Sequence, residues 1–400
     1  MFNLNFLFNY PIIVIIFKGE TIFKWIIFLF FIGCSVSDYQ YIQKAAVSKN
    51  PGDVLKTYAQ NKKNYYIKHP DALIKEIKYF EANYKKELKR FLKAISIWPN
   101  PKRPSTKTFV KYENGYKARA IVNFEKGYVK VESIINDKNR FVNALVNTML
   151  MPEDPRSVDL FSDKIKLNGK PFLAGQIKDY EGKVVLYMWR AQKYAKWLIK
   201  NRYKYYYSKN RKIYYVMFPL VKNSENIRIK KYKVYVENYS KKYSISKTLI
   251  YAIIKTESDF NPYAVSYVPA FGLMQIVPKT AGIEGHQRAY GYKKVPSKEF
   301  LFVAKNNINI GSAYLNILFY RYLKNIKNPI SREYLAIAAY NSGIGNVLRV
   351  FNVRRDRAYY IINTLTPKEV YYRLINRLPT DEGRRYLPKV LKHKRLFTKV

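Results

Sequence analysis

The chain has one cysteine, Cys34, and three histidines in 400 residues. An intramolecular disulfide is therefore excluded, and so is a zinc site built on thiolates; a histidine-rich metal site has too few ligands. No metal and no other cofactor is expected. Acidic residues are scarce as well: 28 Asp and Glu stand against 73 Lys and Arg, a formal net charge of +45. That charge favours contact with polyanions, whether nucleic acid, anionic lipid or anionic wall polymer. The cations are spread along the whole chain instead of forming one stripe, which counts against nucleic acid as the partner. The excess of Lys, Ile, Asn, Tyr and Phe matches AT-rich coding, which supplies lysine without selection for charge.

Strongly apolar sequence opens the chain, over residues 1–33. Lys18 and Lys24 precede the apolar run 25–32, which has the length of a signal-peptide core and is too short to cross a bilayer alone. The run ends Phe31-Ile32-Gly33-Cys34, similar to a bacterial lipobox except for Phe31 in place of a Leu-like residue. Two readings stay open: cleavage and acylation at Cys34, or an uncleaved anchor with an incidental cysteine. The position of the only cysteine favours the first. Ser35, not Asp, follows it, as in lipoproteins sent on to the outer membrane to face the periplasm. Residues 1–33 thus read as a signal peptide, and 34–70 as a lipidated N-terminus and polar tether holding the body outside the cytoplasm.

The rest reads as two domains, in keeping with its length and a 48% hydrophobic content. Residues 73–97 carry apolar side chains at helical spacing (Leu73, Ile77, Phe80, Tyr84, Leu88, Phe91, Ile95), and prolines 99, 101 and 104 end the helix. Strands are predicted over 109–113 and 117–124, joined by the hairpin signal Asn114-Gly115, and over 127–134 and 212–218. Helices are predicted over 140–150 and 186–202. Residues 71–220 therefore form a mixed N-terminal α+β domain. From residue 230 onward the pattern is helical almost throughout, so residues 230–400 form an all-α domain. Thr366-Pro367-Lys368-Glu369 is a helix start, and Ser331 is the expected cap of a helix running to Tyr340.

Within that second domain Ser246 is a suitable N-cap for a helix over 247–258. Glu257 lies on the same face as Ile253 and Ile254. A carboxylate on a buried stripe, at a helix C-terminus where the dipole opposes negative charge, has a raised pKa and suits a general acid. In isolation, a salt-bridged end-of-helix residue is the plainer reading. Gly272-Leu273-Met274-Gln275 then places Gln275 in an apolar run, where its amide needs partners and a sugar is one candidate. Ala339-Tyr340-Asn341 enters Ser342-Gly343-Ile344-Gly345, whose glycines allow close backbone approach. Tyr340 offers a phenol, though a packed core tyrosine is the plainer reading.

The order Glu257-Ser258, Ser266, Gly272 to Gln275, Gly311-Ser312-Ala313-Tyr314-Leu315 and Ala339-Tyr340-Asn341 resembles the Slt-type lytic transglycosylase family, which is lysozyme-like. The resemblance covers about residues 230–390. Asp154 to Asp163 and Pro171 to Gln176 resemble the N-terminal domain of a membrane-bound member. The resemblance implies a lysozyme-like catalytic domain that cleaves the β-1,4 bond between N-acetylmuramic acid and N-acetylglucosamine without water, leaving 1,6-anhydromuramyl ends. Glu257 becomes the sole acid/base. Ser266, Gln275, Tyr314, Tyr340, Asn341 and Glu382 become contacts to the glycan or its peptide, with Tyr386 beside Glu382 in the motif. Ser342 departs slightly from the Ala or Gly usual there. The expected partners are peptidoglycan glycan strands and, through the lipid anchor, a membrane, with no nucleic acid. A hydrolytic lysozyme of the same fold is the nearest alternative and needs a second carboxylate to hold water. A non-catalytic wall-binding lipoprotein is the other.

Acylation at Cys34 has a direct test. Metabolic labelling with a fatty-acid analogue is expected to mark the wild-type chain and not Cys34→Ala. Label on the variant, or none on the wild type, overturns the lipoprotein reading.

Overall fold

The computed structural model describes residues 69–398 except 155 and 156, together with scattered positions between 57 and 65. The apolar leader and Cys34 lie outside the described residues, as does nearly all of the tether. No described helix is long and apolar enough to cross a membrane.

The predicted first helix is present as α1, Pro70–Ile95, starting on a proline whose fixed φ suits the first helical turn. Five antiparallel strands follow in the spatial order β1-β2-β3-β5-β4: β1 Thr108–Glu113, β2 Ala118–Asn123, β3 Tyr128–Ser133, β4 Lys204–Ser208 and β5 Arg211–Pro219. The β1–β2 hairpin forms where expected, but its turn is wider than the Asn-Gly dipeptide. Asn114, Gly115 and Tyr116 all take positive φ, and Glu113 pairs with Ala118. Strand β4 was absent from the sequence expectation. Its five residues have no apolar alternation, and it forms by pairing with β5 from Lys204 to Ser208.

The two sheet faces bury different partners because side chains alternate along each strand. Phe91, Ile95 and Trp98 from α1 and its exit cover Val110, Tyr112, Ile121 and Ile213 on one face. The other face packs against α2, Lys138–Met149, and α3, Met188–Arg202, through Phe141, Leu145, Leu198, Val131 and Phe218. A buried ion pair crosses the sheet, Arg119 Nη2 lying 2.5 Å from Glu132 Oε2, with Tyr206 donating to the other oxygen at 3.0 Å.

The core continues without a break from that second face into the helical half. Tyr263 links them: its ring lies 5.5 Å from Phe109, 5.7 Å from Phe172 and 5.7 Å from Phe302. Its hydroxyl donates to the Pro152 carbonyl at 3.0 Å. The helical half starts earlier than residue 230, with α4, Ser224–Tyr243. It continues through α5 Lys247–Ser258, α6 Ile283–Tyr290, α7 Lys298–Phe302, α8 Ala304–Ile317, α9 Pro329–Ser342, α10 Ile344–Arg349, α11 Arg355–Thr364, α12 Pro367–Arg377 and α13 Asp381–Leu396. The architecture is thus α+β, an antiparallel sheet with its covering helices followed by an all-helical region.

Helix starts test the local reading. The capping box at Thr366 and Glu369 is formed as expected. Ser246 precedes α5, but its hydroxyl bonds to Thr248 Oγ1 at 2.7 Å and not to a backbone N–H. Ser331 is not the cap of α9. Asn328 is, accepting from the N–H groups of Ile330 and Ser331, with Pro329 at the first helical position. Ser331 is buried and its hydroxyl has no partner. Asn328→Ala is therefore expected to cost about 1 kcal/mol in denaturant unfolding. Ser331→Ala is expected to be neutral or stabilising, since it removes an unsatisfied buried hydroxyl. A larger loss at Ser331 than at Asn328 reverses the assignment.

Candidate active site

Glu257 occupies the last turn of α5, among Leu249, Ile250, Ile253 and Ile254, all fully buried. The helix ends at once, Asp259 taking a left-handed C-cap conformation. Asp259 is buried, not solvated, and pairs with Lys255. Burial pushes the Glu257 carboxyl up to about 7; the Tyr386 hydrogen bond opposes this, the nearby Glu382 charge adds to it and Lys389 pulls against it. The Tyr386 hydroxyl donates to Glu257 Oε1 at 2.5 Å. Burial and the Glu257 charge hold the Tyr386 phenol well above its ordinary range, so it stays a neutral donor. Beside Glu257, Thr256 Oγ1 and His393 Nδ1 are 2.8 Å apart. Burial, with Lys255, Lys389 and Lys107 nearby, lowers His393 to about 4 and keeps it neutral.

The segment Gly272 to Gln275 is pinned from three directions. Ser258 Oγ donates to Leu273 O at 2.8 Å, Asn307 Oδ1 accepts from Met274 N at 2.8 Å, and Tyr340 Oη donates to Met274 O at 2.9 Å. Asn307 also donates to Phe271 O and Leu301 O, each at 2.8 Å. Gly272 has φ +78°, and a Cβ there would stand 2.3 Å from Asn307 Nδ2, so both conformation and space require glycine. Gln275 is a non-glycine residue at φ +48°, a costly conformation at an interior position. Its Nε2 donates to Ala264 O and Gly272 O, each at 3.0 Å, while its buried Oε1 has no partner.

The other predicted residues fall around this core. Tyr314, on α8, packs its ring 5.8 Å from that of Tyr340, on α9. Asn341 Nδ2 donates to Glu382 Oε1 at 3.0 Å, joining the end of α9 to the first turn of α13. Ser342 fits beside Gly383, where a Cβ would stand 2.5 Å from the Ser342 hydroxyl. Ser266 lies in the loop before Gly272, where its hydroxyl donates to Val268 O and accepts from Ala270 N. So Tyr340 spends its hydrogen on the loop backbone, and the phenol on the acid is that of Tyr386. Sequence reasoning missed Asn307; the signal was a run of asparagines inside the apolar helix α8. It also missed the backing of Phe271 by Phe80 and Tyr84 of α1, at 6.3 and 5.7 Å.

Two family models match this chain: "Membrane-bound lytic murein transglycosylase C, N-terminal domain" over residues 76–231, and "Transglycosylase SLT domain" over residues 234–363. Membrane-bound lytic murein transglycosylase C of Klebsiella pneumoniae (strain 342) is 43% identical over 288 residues, 71% of this chain and 80% of that protein. The protein of that name from Cronobacter sakazakii is 44% identical over the same shares. The chain belongs to the membrane-bound lytic murein transglycosylase C family. The 70 kDa soluble lytic transglycosylase of Escherichia coli is 27% identical over 41% of this chain and 23% of its own, with a TM-score of 0.31. Its complex with bulgecin A gives 25% identity over 42% and 25%, with a TM-score of 0.32. The chain thus spans about a quarter of those solved chains. In this family member the transglycosylase match ends at residue 363, so Glu382 and Tyr386 lie beyond it.

A carboxyl that titrates at about 7 is protonated below that value and ionised above it. Activity that needs the acid form falls on the alkaline side. The raised value also means that the fold loses stability as pH rises from the ordinary glutamate range through about 7. Tyr386→Phe removes a donor that favours the ionised form, so the alkaline limb of the pH–rate profile is expected to move upward. A downward shift, or none, separates Tyr386 from the acid.

Proposed function

We propose that this protein cleaves peptidoglycan glycan strands as a lytic transglycosylase, with Glu257 acting first as acid and then as base. The observation that carries the reading is a desolvated carboxyl at a helix end with a raised pKa and a neutral phenol on one oxygen. Protonated Glu257 gives its proton to the glycosidic oxygen as the bond to C1 of N-acetylmuramic acid breaks. The N-acetyl carbonyl oxygen of the same sugar bonds to C1 and takes up the positive charge. The Glu257 carboxylate then removes the proton from the C6 hydroxyl, whose oxygen closes onto C1 and displaces the acetamido oxygen. Proton and electrons balance without water, and the product is a 1,6-anhydromuramyl end.

In this reading the buried Oε1 of Gln275, unpartnered among the described residues, is the acceptor for a sugar N–H or O–H. Tyr340 bonds to the neighbouring Met274 carbonyl with the Tyr314 ring packed against it, while Asn341 and Glu382 border the site on the α13 side. Ser266 supports the reacting acetamido group in this reading. Residues 71–220 serve as a mixed N-terminal domain and 230–400 as the catalytic domain. Cys34 carries the lipid, which holds the enzyme on the outer membrane facing the periplasm; the apolar leader and the membrane-bound relatives support that placement.

One observation favours a second reading. Glu382 lies near enough for its charge to raise the Glu257 pKa, so a second carboxylate is at hand. A hydrolytic lysozyme would use it to hold an attacking water.

Digestion of sacculi in ¹⁸O-labelled water distinguishes the two. Unlabelled anhydromuramyl ends are expected, because the tethered C6 hydroxyl has a large effective concentration. Label at the new muramyl ends identifies a hydrolase. Glu257→Gln is expected to lower cleavage by at least about 10²-fold with the thermal melt preserved. A variant that keeps more than about a tenth of the rate removes Glu257 from the mechanism.

A further inference from the structure

The outer sheet edge carries an aromatic and cationic surface that the catalytic site does not use. Among the described residues strand β4 has only one neighbour, β5, and it lies at the opposite edge of the sheet from β1. The segment 203–212 contains only Tyr, Lys, Arg, Ser and Asn, and no acidic residue occurs from 203 to 219. Tyr205 pairs with Tyr214 and Tyr207 with Lys212, which puts these four side chains on one face. Tyr203 stacks on Tyr214 at 5.7 Å with a 9° interplanar angle. Tyr205 lies 6.3 Å from Tyr214, and Tyr207 lies 5.9 Å from Tyr205. The Lys212 ammonium sits 4.3 Å from the Tyr205 ring and 5.7 Å from that of Tyr207.

Tyr203 and Tyr214 account for the stability of the hairpin, since cross-strand aromatic pairs on one face support a sheet. Tyr205 and Tyr207 do not need that explanation. They remain 54% and 64% exposed. Exposed rings with polar tips and interleaved cations match a particular ligand chemistry. Sugar rings present C–H faces that pack on aromatic rings, and hydroxyls that bond to phenols. Carboxylates of the stem peptide, and of the lactyl group where that peptide has been removed, complement Lys212 and the flanking Lys204, Lys209 and Arg211. A lipid surface is less well matched, because segment 203–212 has no aliphatic or tryptophan side chain to enter hydrocarbon.

We infer that the β4–β5 edge is a second docking site for peptidoglycan glycan strands, with Tyr205 and Tyr207 as its stacking surface and Lys212 as its anion contact. The inference rests on the glycan-strand reading of the Glu257 site. The catalytic loops meet the sheet at the other edge, where Asn261 Nδ2 donates to Thr106 O at 3.2 Å and Val265 N to Ser105 O at 3.5 Å. Four strand spacings separate β1 from β4, about 19 Å. A polymer can engage both sites at once, whereas a short fragment occupies only one, so the gain is confined to long substrates.

The test uses the full chain in detergent, as Glu257→Gln, sedimented with purified sacculi. Adding Tyr205→Ser and Tyr207→Ser is expected to weaken binding about tenfold or more, by the loss of avidity. Tyr205→Phe with Tyr207→Phe is expected to retain most of it, because the rings remain. With Glu257 intact, the serine pair is expected to slow sacculus cleavage at low substrate and leave turnover of short soluble muropeptides unchanged. Unchanged binding to sacculi, equal loss on both substrates, or loss of binding to anionic phospholipid vesicles in place of sacculi each overturns the proposal. If the active chain releases nothing from sacculi, the glycan-cleavage reading fails, while sedimentation of the Gln variant still tests the edge.

Discussion

The hydrogen bond from Tyr386 to Glu257 joins residues 129 positions apart, and it ties the N-terminal half of α13 to the end of α5 at the acid. It requires α13 to lie along α5. Buried Leu387 and Val390 accompany Tyr386 in the core, and the Thr256–His393 contact continues the seam toward the end of α13. The phenol satisfies one carboxyl oxygen without adding a charge. A lysine in that place would hold Glu257 ionised and leave it useless as an acid. A hydrocarbon would leave the carboxyl with a buried oxygen and no donor. Tyrosine lies between these, so the acid is held in position and its proton affinity remains near neutrality.

The polar residues of the loop show how few groups are left for a ligand. Gln275 commits both amide hydrogens to backbone carbonyls, Ser266 bonds within its own loop, and Tyr340 bonds to Met274. Gln275 was readable in sequence as a polar residue in an apolar run, Tyr340 as a phenol at a helix end, and Ser266 only through the family resemblance. What sequence does not show is that most of their hydrogen-bonding capacity builds the loop itself. The left-handed φ of Gln275 belongs to the same arrangement, for Asn307, Ser258 and Tyr340 hold the segment in a shape its own backbone does not prefer.

Elements with strong local signals were legible. The amphipathic period of α1, the Asn-Gly hairpin and the capping box at Thr366 arise from near neighbours, and each appears in place. The errors have different causes, one tertiary and one local. Strand β4 is a run of tyrosines with no periodicity, and it becomes a strand only because β5 pairs with it. Asn328 outcompetes Ser331 because Pro329 fixes the start of α9 one residue after it. Glu257 was legible from its apolar face and motif order, but its partner Tyr386 was not. Nothing in either local sequence ties α5 to α13, and the match to the transglycosylase family ends before α13 begins.

Helix α1 belongs to the N-terminal half by sequence, yet it backs the catalytic loop. Phe80 and Tyr84 pack on Phe271, Glu81 lies 2.6 Å from Lys279, and Glu87 pairs with Lys298. The stretch that follows the tether is therefore part of the wall behind the loop. Trimming the chain to obtain a soluble enzyme has a limit set by this packing. A cut past Tyr84 removes both α1 rings that back Phe271 and the Glu81–Lys279 pair, and so frees the loop on that side.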